Sequence, residues 1–499
     1  MHWLLDRFET NCIQRADQPA ACDQSLSLDY KSFRAVACGL GARIAECTDG
    51  PRVGILAPTS TVCAVSVFAC WYAGKIPVPL NFMLAPDEFA HVVADAGVDL
   101  AVSIEAFKPL AESVGLNTLL LQAPTLAPGQ MDLPAAAAED IGALVYTSGT
   151  AGEPKGACLT FDNLVQNTQA CIEAAEISPD QVFLGLLPQF HAFGLTTTTI
   201  VPLLLGSTVH YLPRFSPITV ANTIRENDVS VFITIASMYG GLAAMKSATP
   251  EQFASLTLAV SGGEPLSANV ACVFEERYGV RIYEGYGMTE ASPVVSLNTP
   301  RAYRAGAVGR PLPGVSVVAV DEEGHEVPRG QEGELVVRGH CVMQGYFNRP
   351  EDTAATLRDG ALYTGDIGRV DADGYVHITG RAKEMMIVGG ENVFPFEIES
   401  ALLETDEVSE AGVIGAPDEM TYEKVVAYVR LAPGVEWSKK VELALRLHVS
   451  NKLSAVATPQ EFIVMDSVPK NKSGKIMRRV LKAWYTGAEV GDISTMEDE

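Results

Sequence analysis

Residues 146–156, YTSGTAGEPKG, concentrate hydroxyls, glycines and a cation in one short stretch. Thr147, Ser148 and Thr150 supply hydroxyls. Gly149, Gly152 and Gly156 let the backbone turn tightly and aim amide N–H groups at a ligand, and Lys155 adds a positive charge. Small residues, free amides and one cation make a cradle for a polyphosphate. It is not a Walker A loop, which needs Gly immediately before its Lys and Ser or Thr after it; here Pro154 and Gly156 stand in those places. Taken alone, such a run reads equally well as a surface turn.

Other concentrations of chemistry-bearing residues follow in order. They are Pro188–Gly194 (PQFHAFG), Val260–Leu266 (VSGGEPL), Glu284–Glu290 (EGYGMTE), Tyr363–Asp366 (YTGD), Gly380–Glu384 (GRAKE), Gly389–Pro395 (GGENVFP) and Pro469–Lys475 (PKNKSGK). Singly, each has a bland explanation. Asp366 before a β-run is ordinarily a turn residue, Lys475 a solvated lysine, Glu264 and Glu290 loop acids, and His191 a structural or surface histidine.

The elements that must position these residues alternate. Residues 53–57 predict a buried strand, 62–72 an apolar helix, 76–80 a second strand, 86–96 an amphipathic helix and 100–103 a closing strand. That alternation implies a parallel sheet flanked by helices. Residues 123–139, rich in Ala and Pro, read as an irregular connection into the Gly-rich loop, after which a helix is expected from Phe161. Strands are expected again at 182–187, 208–212, 229–234, 256–260 and 281–284. From about Ala305 the texture changes to short alternating runs at 315–320, 333–338 and 375–379, separated by turn signals, which predicts a small antiparallel sheet or barrel. After Gly380 a new mixed unit begins, with strands at 385–388, 409–414, 425–431 and 462–465 and helices at 395–403 and 439–453. A domain boundary falls near Arg381–Lys383, and the tail after Gly487 is acidic and frayed. No internal repeat is present.

Length alone suggests about three domain-sized units. A composition of 47% hydrophobic and 19% charged residues is that of a globular protein in water. The net charge of -25 repels nucleic acid, and no basic stripe offsets it. A polyanion could still bind through local cations, backbone amides and a metal ion. The ten cysteines include no CxxC pair, and Cys63, Cys70 and Cys272 sit in apolar surroundings, as buried free thiols of a reducing compartment would. The N-terminus lacks the basic segment and long apolar run of a signal peptide, and the run 200–205 is interrupted by Pro202. The expectation is a cytoplasmic protein without a transmembrane segment. Peripheral membrane contact for collecting fatty acids stays open as an alternative, although no basic amphipathic helix supports it.

Taken together and in this order, the motifs resemble the adenylate-forming superfamily of acyl-CoA synthetases, peptide-synthetase adenylation domains and beetle luciferases. The resemblance runs over nearly the whole chain. The stretches 284–296 (EGYGMTEASPVVS) and 188–213 are similar to bacterial fatty-acid ligases, and the second also to acyl-acyl-carrier-protein synthetases. The resemblance implies an α/β fold: a large N-terminal domain (1–380) of parallel α/β sheets plus a small β-barrel, a hinge (381–384) and a smaller, mobile α+β C-terminal lid (385–499). It implies two half-reactions, in which a carboxylate attacks the α-phosphate of ATP to give an acyl-adenylate and pyrophosphate, and a thiol then takes the acyl group and releases AMP. Because the nucleophile is weak and the triphosphate repels it, catalysis must be positioning plus charge neutralisation.

By that resemblance, Thr147, Ser148, Gly149, Thr150 and Lys155 hold the β- and γ-phosphates. Gly262, Gly263 and Glu264 contact adenine, and Tyr286, between Gly285 and Gly287, stacks on it. Thr289 bonds the α-phosphate and Glu290 helps hold Mg²⁺, for which a carboxylate is a suitable hard ligand. Asp366 accepts from the ribose hydroxyls with Arg381 nearby. Lys475 bridges the substrate carboxylate and the α-phosphate, a point charge on a long stem that can arrive and leave. Lys383 is the hinge about which the lid withdraws Lys475 and presents the Gly389–Gly390 face to the thiol. Phe190, His191, Gly194 and Gly262 line the acyl pocket. Two positions depart from the family pattern: Ala151 removes one phosphate hydroxyl, and Tyr422-Glu423 replaces a frequent Gly-Glu pair.

Where amino-acid-activating relatives carry an Asp, this chain has His191, which argues against an amino-acid substrate. No Arg or Lys lies within 190–209 or 233–245, which argues against a second carboxylate. Gly262 and Gly263 leave room for a long tail, and burial at ~0.8 kcal/mol per CH₂ would give chain-length preference. The expected substrate is a medium- or long-chain fatty acid, with coenzyme A as acceptor. An acyl-carrier protein is the alternative acceptor, an aryl or other acid the alternative substrate, and a non-catalytic nucleotide- or lipid-binding scaffold the reading from another class.

Overall fold

Short β-branched runs separated by helices leave each strand little choice but to pair in parallel with the next one the chain delivers. The computed structural model describes residues 4–122, 125–147, 153–418, 422–470 and 476–487. It divides into two units: Met1–Gly263, Phe274–Val317 and Val336–Tyr363 form the first, and Glu264–Val273, Val318–Leu335 and Thr364–Glu499 the second.

In the first unit, Ile76–Pro79, Arg52–Leu56, Leu100–Ser103 and Asn117–Leu120 make a four-stranded sheet, parallel throughout. The last strand is one more than the sequence reading supplied. A nine-stranded sheet has the parallel centre Ile282–Gly287, Leu258–Ser261, Val231–Thr234, Val182–Gly185, Thr208–Tyr211 and Pro19–Cys22. Antiparallel strands finish both its edges. The helix Thr61–Tyr72 is buried on every side, which explains why it has no polar face, and the Ser60 side chain caps its start. The third sheet is a hairpin of Ile141–Thr147 and Lys155–Thr160, with the short strand Gly345–Tyr346 on its outer side. The sequence reading missed the strand Lys155–Thr160; the helix does begin at Phe161, capped by Thr160.

The second unit holds the paired strands Ala361–Val370 and Val376–Arg381 from Thr364 onward. The same unit holds residues 318–320 and 333–335 of the strands Val315–Val320 and Gly333–Gly339. Burial alternates strictly along Thr364–Val370, so Thr364, Asp366, Gly368 and Val370 face inward. A five-stranded sheet runs Glu391–Val393, Met386–Val388, Tyr422–Leu431 and Val408–Asp418, with Glu461–Val464 parallel to Tyr422–Leu431. The helices Pro395–Leu403 and Lys439–Lys452 bury Ile398, Leu402, Leu445 and Val449 in this unit's core. The tail after Gly487 lies outside the described residues.

All ten cysteines are free thiols, but not all are buried: Cys272 is exposed, as is Cys47. The expectation for Cys272 is corrected. It lies on the amphipathic helix Ala268–Tyr278, whose buried residues are Phe274 and Tyr278.

Candidate functional site

The Gly-rich loop spans the hairpin. Thr147 and Lys155 are register partners, so they stand opposite each other where the strands end. The Tyr146 hydroxyl donates to Asp95 (2.6 Å), which pins the first strand's end. Ser148, Gly149, Thr150, Ala151 and Gly152 lie outside the described residues. Gly156 does not turn the chain. It sits inside the second strand, where a Cβ would fall 3.0 Å from the Tyr146 ring, so packing asks for the glycine. Lys155 donates from Nζ to the Asp352 carboxylate and stands 5.4 Å from the centre of the Tyr346 ring. Glu153 accepts from Arg349 (2.8 Å). Arg349, with His91 behind it, holds the Glu153 carboxyl below its usual range.

Three other segments of the first unit carry predicted site residues. Gly262 leaves the strand Leu258–Ser261 with its N–H on the Thr234 carbonyl (3.1 Å). A Cβ there would lie 3.0 Å from the Phe193 ring and 3.4 Å from the Gly285 carbonyl, and Gly263 has φ +78°. Phe193, a residue the sequence reading did not single out, thus bounds the space beside Gly262. Glu264 is half-buried and begins the second unit's share of the chain. Tyr286 is half-buried on the strand Ile282–Gly287, paired with Ser296. Gly287 is required because a Cβ would meet the Pro293 carbonyl at 2.0 Å. Thr289 and Glu290 form a single 3-10 turn. Glu290 is 9% exposed; its carboxylate accepts from the Tyr346 hydroxyl (2.7 Å), and its carbonyl accepts from Met343 N–H (2.9 Å).

Phe190 is buried edge-on against Phe82 and against the half-buried His191. Gly194 is needed by packing, since a Cβ would sit 2.3 Å from the Pro188 carbonyl. Beyond it, Thr196–Ile200 make a fully buried π-helical turn. Their hydroxyls are taken up internally: Thr197 donates to Phe193 O and Thr198 to Gly194 O (both 2.7 Å), Thr199 accepts from Gln189 (2.8 Å), and Thr196 donates to Ser292 O (3.4 Å).

In the second unit Asp366 and Arg381 are cross-strand partners, and Arg381 Nε lies 3.0 Å from Asp366 Oδ1. The Asp366 side chain is 4% exposed and that of Arg381 43%. At that distance the guanidinium and the carboxylate make a charge-assisted pair across the two strands. Lys383 is exposed on the 3-10 turn Ala382–Glu384. Gly389 and Gly390, at φ +61° and +85°, form the two-residue turn between Met386–Val388 and Glu391–Val393. Such a turn needs left-handed backbone at both places, which accounts for the pair without a ligand. Lys475 lies outside the described residues, but Lys470 and Ile476 on either side form an antiparallel bridge. Just beyond, Arg478 donates to Glu384 (2.8 Å) and to the buried Glu399 (2.6 Å), another network that sequence reasoning missed.

The family model for AMP-binding enzymes matches residues 8–347, and that for the AMP-binding enzyme C-terminal domain matches 397–475. The chain is an AMP-binding enzyme. A feruloyl-CoA synthase of an Amycolatopsis species is 35% identical over 447 residues, 88% of this chain and 89% of the relative. A long-chain-fatty-acid–CoA ligase of Bacillus subtilis is 30% identical over 486 residues, 87% and 85% of the two chains. The solved anthranilate CoA ligase AuaEII, in complex with anthranoyl-AMP, superposes with a TM-score of 0.90 at 28% identity over 96% of each chain. At that level of description this AMP-binding enzyme is an acyl- or aryl-CoA ligase working through an adenylate.

Among the described residues of the AMP-binding enzyme, no three His, Cys, Asp or Glu side chains cluster to hold a metal by themselves. A lone, nearly buried carboxylate at Glu290, with one oxygen already oriented, fits a magnesium ion that takes most of its ligands from phosphate and water. No helix among the described residues is long and apolar enough to cross a membrane.

Proposed function

We propose that the chain activates a medium- or long-chain fatty acid with ATP and transfers the acyl group to coenzyme A. The observation that carries the fatty-acid reading is the consumption of hydroxyls along Thr196–Thr199. With three of those O–H groups donating to backbone carbonyls, the segment offers a passing tail few hydrogen-bond donors, which suits a substrate with no polar group beyond its carboxylate. A second reading, an aryl acid, is favoured by Phe193, which bounds the space beside Gly262, and by the feruloyl-CoA synthase among the relatives.

In the first half-reaction the acid's carboxylate oxygen attacks the α-phosphorus, the bond to the bridging oxygen breaks, and pyrophosphate leaves. The chain's part is to hold and neutralise. Lys155 with Thr147, Ser148, Gly149 and Thr150 grips the leaving phosphates, Thr289 bonds the α-phosphate, and Lys475 brings the carboxylate to it. Gly262, Gly263 and Glu264 meet the adenine edge and Tyr286 its face, while Asp366 accepts from the ribose hydroxyls. Magnesium held at Glu290 would offset phosphate charge. In the second half-reaction a thiolate displaces AMP from the acyl carbon. Lys383 is then the pivot, and Gly389 and Gly390 flank the acceptor's path.

The test offers ATP, Mg²⁺ and a ladder of fatty acids beside cinnamates and benzoates, with CoA and holo-acyl-carrier protein in competition, and reads thioesters by mass spectrometry. Fatty acyl-CoA as main product is the expected result. Aryl-CoA would establish the second reading, and acyl-carrier protein would move the acceptor. The hinge has its own prediction. Lys383→Pro should keep pyrophosphate release within about threefold yet lower thioester formation by a factor of ~100, the scale of a misplaced reacting group. Equal loss of both half-reactions would remove Lys383 from that role.

A further inference from the structure

Of the two charges that this reading puts at the phosphates, Lys155 ends one strand and Glu290 sits on a one-turn helix. Both reach the same side chain. Tyr346, on the short strand that pairs with Lys155–Thr160, gives its hydroxyl to Glu290 Oε1 at 2.7 Å and lays its ring under Lys155 Nζ at 5.4 Å. The ring is itself fixed. Tyr346 N–H donates to Thr353 Oγ1 (2.9 Å), and Phe347 N–H donates to the Gly156 carbonyl (2.7 Å), directly beside Lys155.

The structure assigns Tyr346, we propose, as the positioning residue of the phosphate end of the site: its hydroxyl orients Glu290 toward the metal, and its ring seats Lys155. The inference rests on the reading of Glu290 as a metal ligand and Lys155 as a phosphate contact. A hydroxyl on one carboxylate oxygen fixes the rotation of the whole group, so the second oxygen has one direction in which to meet an ion. An aromatic face attracts an ammonium and adds no anion to the site beyond the Asp352 carboxylate that already accepts from Lys155.

Tyr346→Phe separates the two halves, because it removes the hydroxyl and keeps the ring. Mn²⁺ affinity is measured by electron paramagnetic resonance with the full-length protein saturated by a non-hydrolysable ATP analogue. Affinity for the analogue alone is measured in a chelator, and folding is checked by thermal unfolding. Tyr346→Phe should weaken Mn²⁺ about tenfold, as loss of an outer partner of a metal ligand does, and leave metal-free analogue binding within about twofold. Tyr346→Leu should weaken metal-free binding a further ~threefold by removing the ring. Unchanged or tighter Mn²⁺ binding in Tyr346→Phe overturns the hydroxyl's role, and equal metal-free binding in the Phe and Leu variants overturns the ring's. Glu290→Gln is the control. If it too leaves Mn²⁺ binding unchanged, the reading of Glu290 itself has failed; if it weakens binding while Tyr346→Phe does not, only the proposal has.

Discussion

Asp352 is the residue whose effect is easiest to miss from the chain alone. It lies far from the Gly-rich loop in sequence, yet its carboxylate accepts from Lys155, the cation of that loop. On the proposed role of Lys155, an arriving phosphate exchanges with this carboxylate. Both side chains are about one-third exposed, so the pair is worth little in water, on the order of 0.2–1 kcal/mol. Asp352→Asn should therefore tighten metal-free ATP binding modestly, about two- to fivefold, in calorimetric titration. Weaker binding would mean that Asp352 supports the loop and does not compete for its lysine. Glycines divide at the same scale. Gly263, at φ +78°, is held by backbone geometry; Gly156, Gly194 and Gly287 are held by neighbours that a Cβ would strike. Sequence marks all of them as glycine and cannot say which reason applies, because the striking atoms belong to other residues.

Among the elements, the helix Arg478–Thr486 is tied to the rest of its unit by its first residue. Arg478 reaches Glu399 on the helix Pro395–Leu403 and Glu384 just past Lys383, while Glu399 also accepts from Val413 N–H (2.8 Å). Burial outweighs these partners and raises the Glu399 carboxyl to about 7; burial, then Glu332, does the same for Glu397. A carboxyl raised in the folded state binds a proton there that the unfolded chain has lost above its ordinary value of 4.5. Stability from this source is present at low pH and falls as pH rises from that value through about 7. Arg478→Met would leave Glu399 buried without its cation. We predict a loss of about 3 kcal/mol in denaturant unfolding at pH 8 and a clearly smaller loss at pH 5, where Glu399 is neutral. A pH-independent loss would assign Arg478 to packing alone. The strands Lys155–Thr160 and Asn117–Leu120 are among the elements the sequence hid, as are Pro19–Cys22 and Ala361–Val370. The first is short and follows a loop that reads as leading straight to a helix; the second gains its strand character from pairing with Leu100–Ser103.

At the scale of the molecule, eight of the ten thiols are buried and two, Cys47 and Cys272, are exposed. Burial pushes the Cys63, Cys171 and Cys341 thiols up to about 12, which leaves them protonated and unreactive at neutral pH. The native protein should therefore react quickly with a thiol-specific chromogenic disulfide at two cysteines, and at all ten once unfolded; more fast sites would mean that a buried helix opens. Sequence by itself determined the class of chemistry and the family, because that chemistry needs glycines, hydroxyls and charges in a fixed order, and order is what a sequence records. It also determined the alternating elements, since apolar periodicity is local. Tertiary structure alone decided which residues from distant segments meet. It put Tyr346 between Lys155 and Glu290, Phe193 against Gly262, and Asp366 beside Arg381 on an inward face. Such meetings are set by strand register and by the packing of side chains, and neither is written in the spacing of the residues concerned.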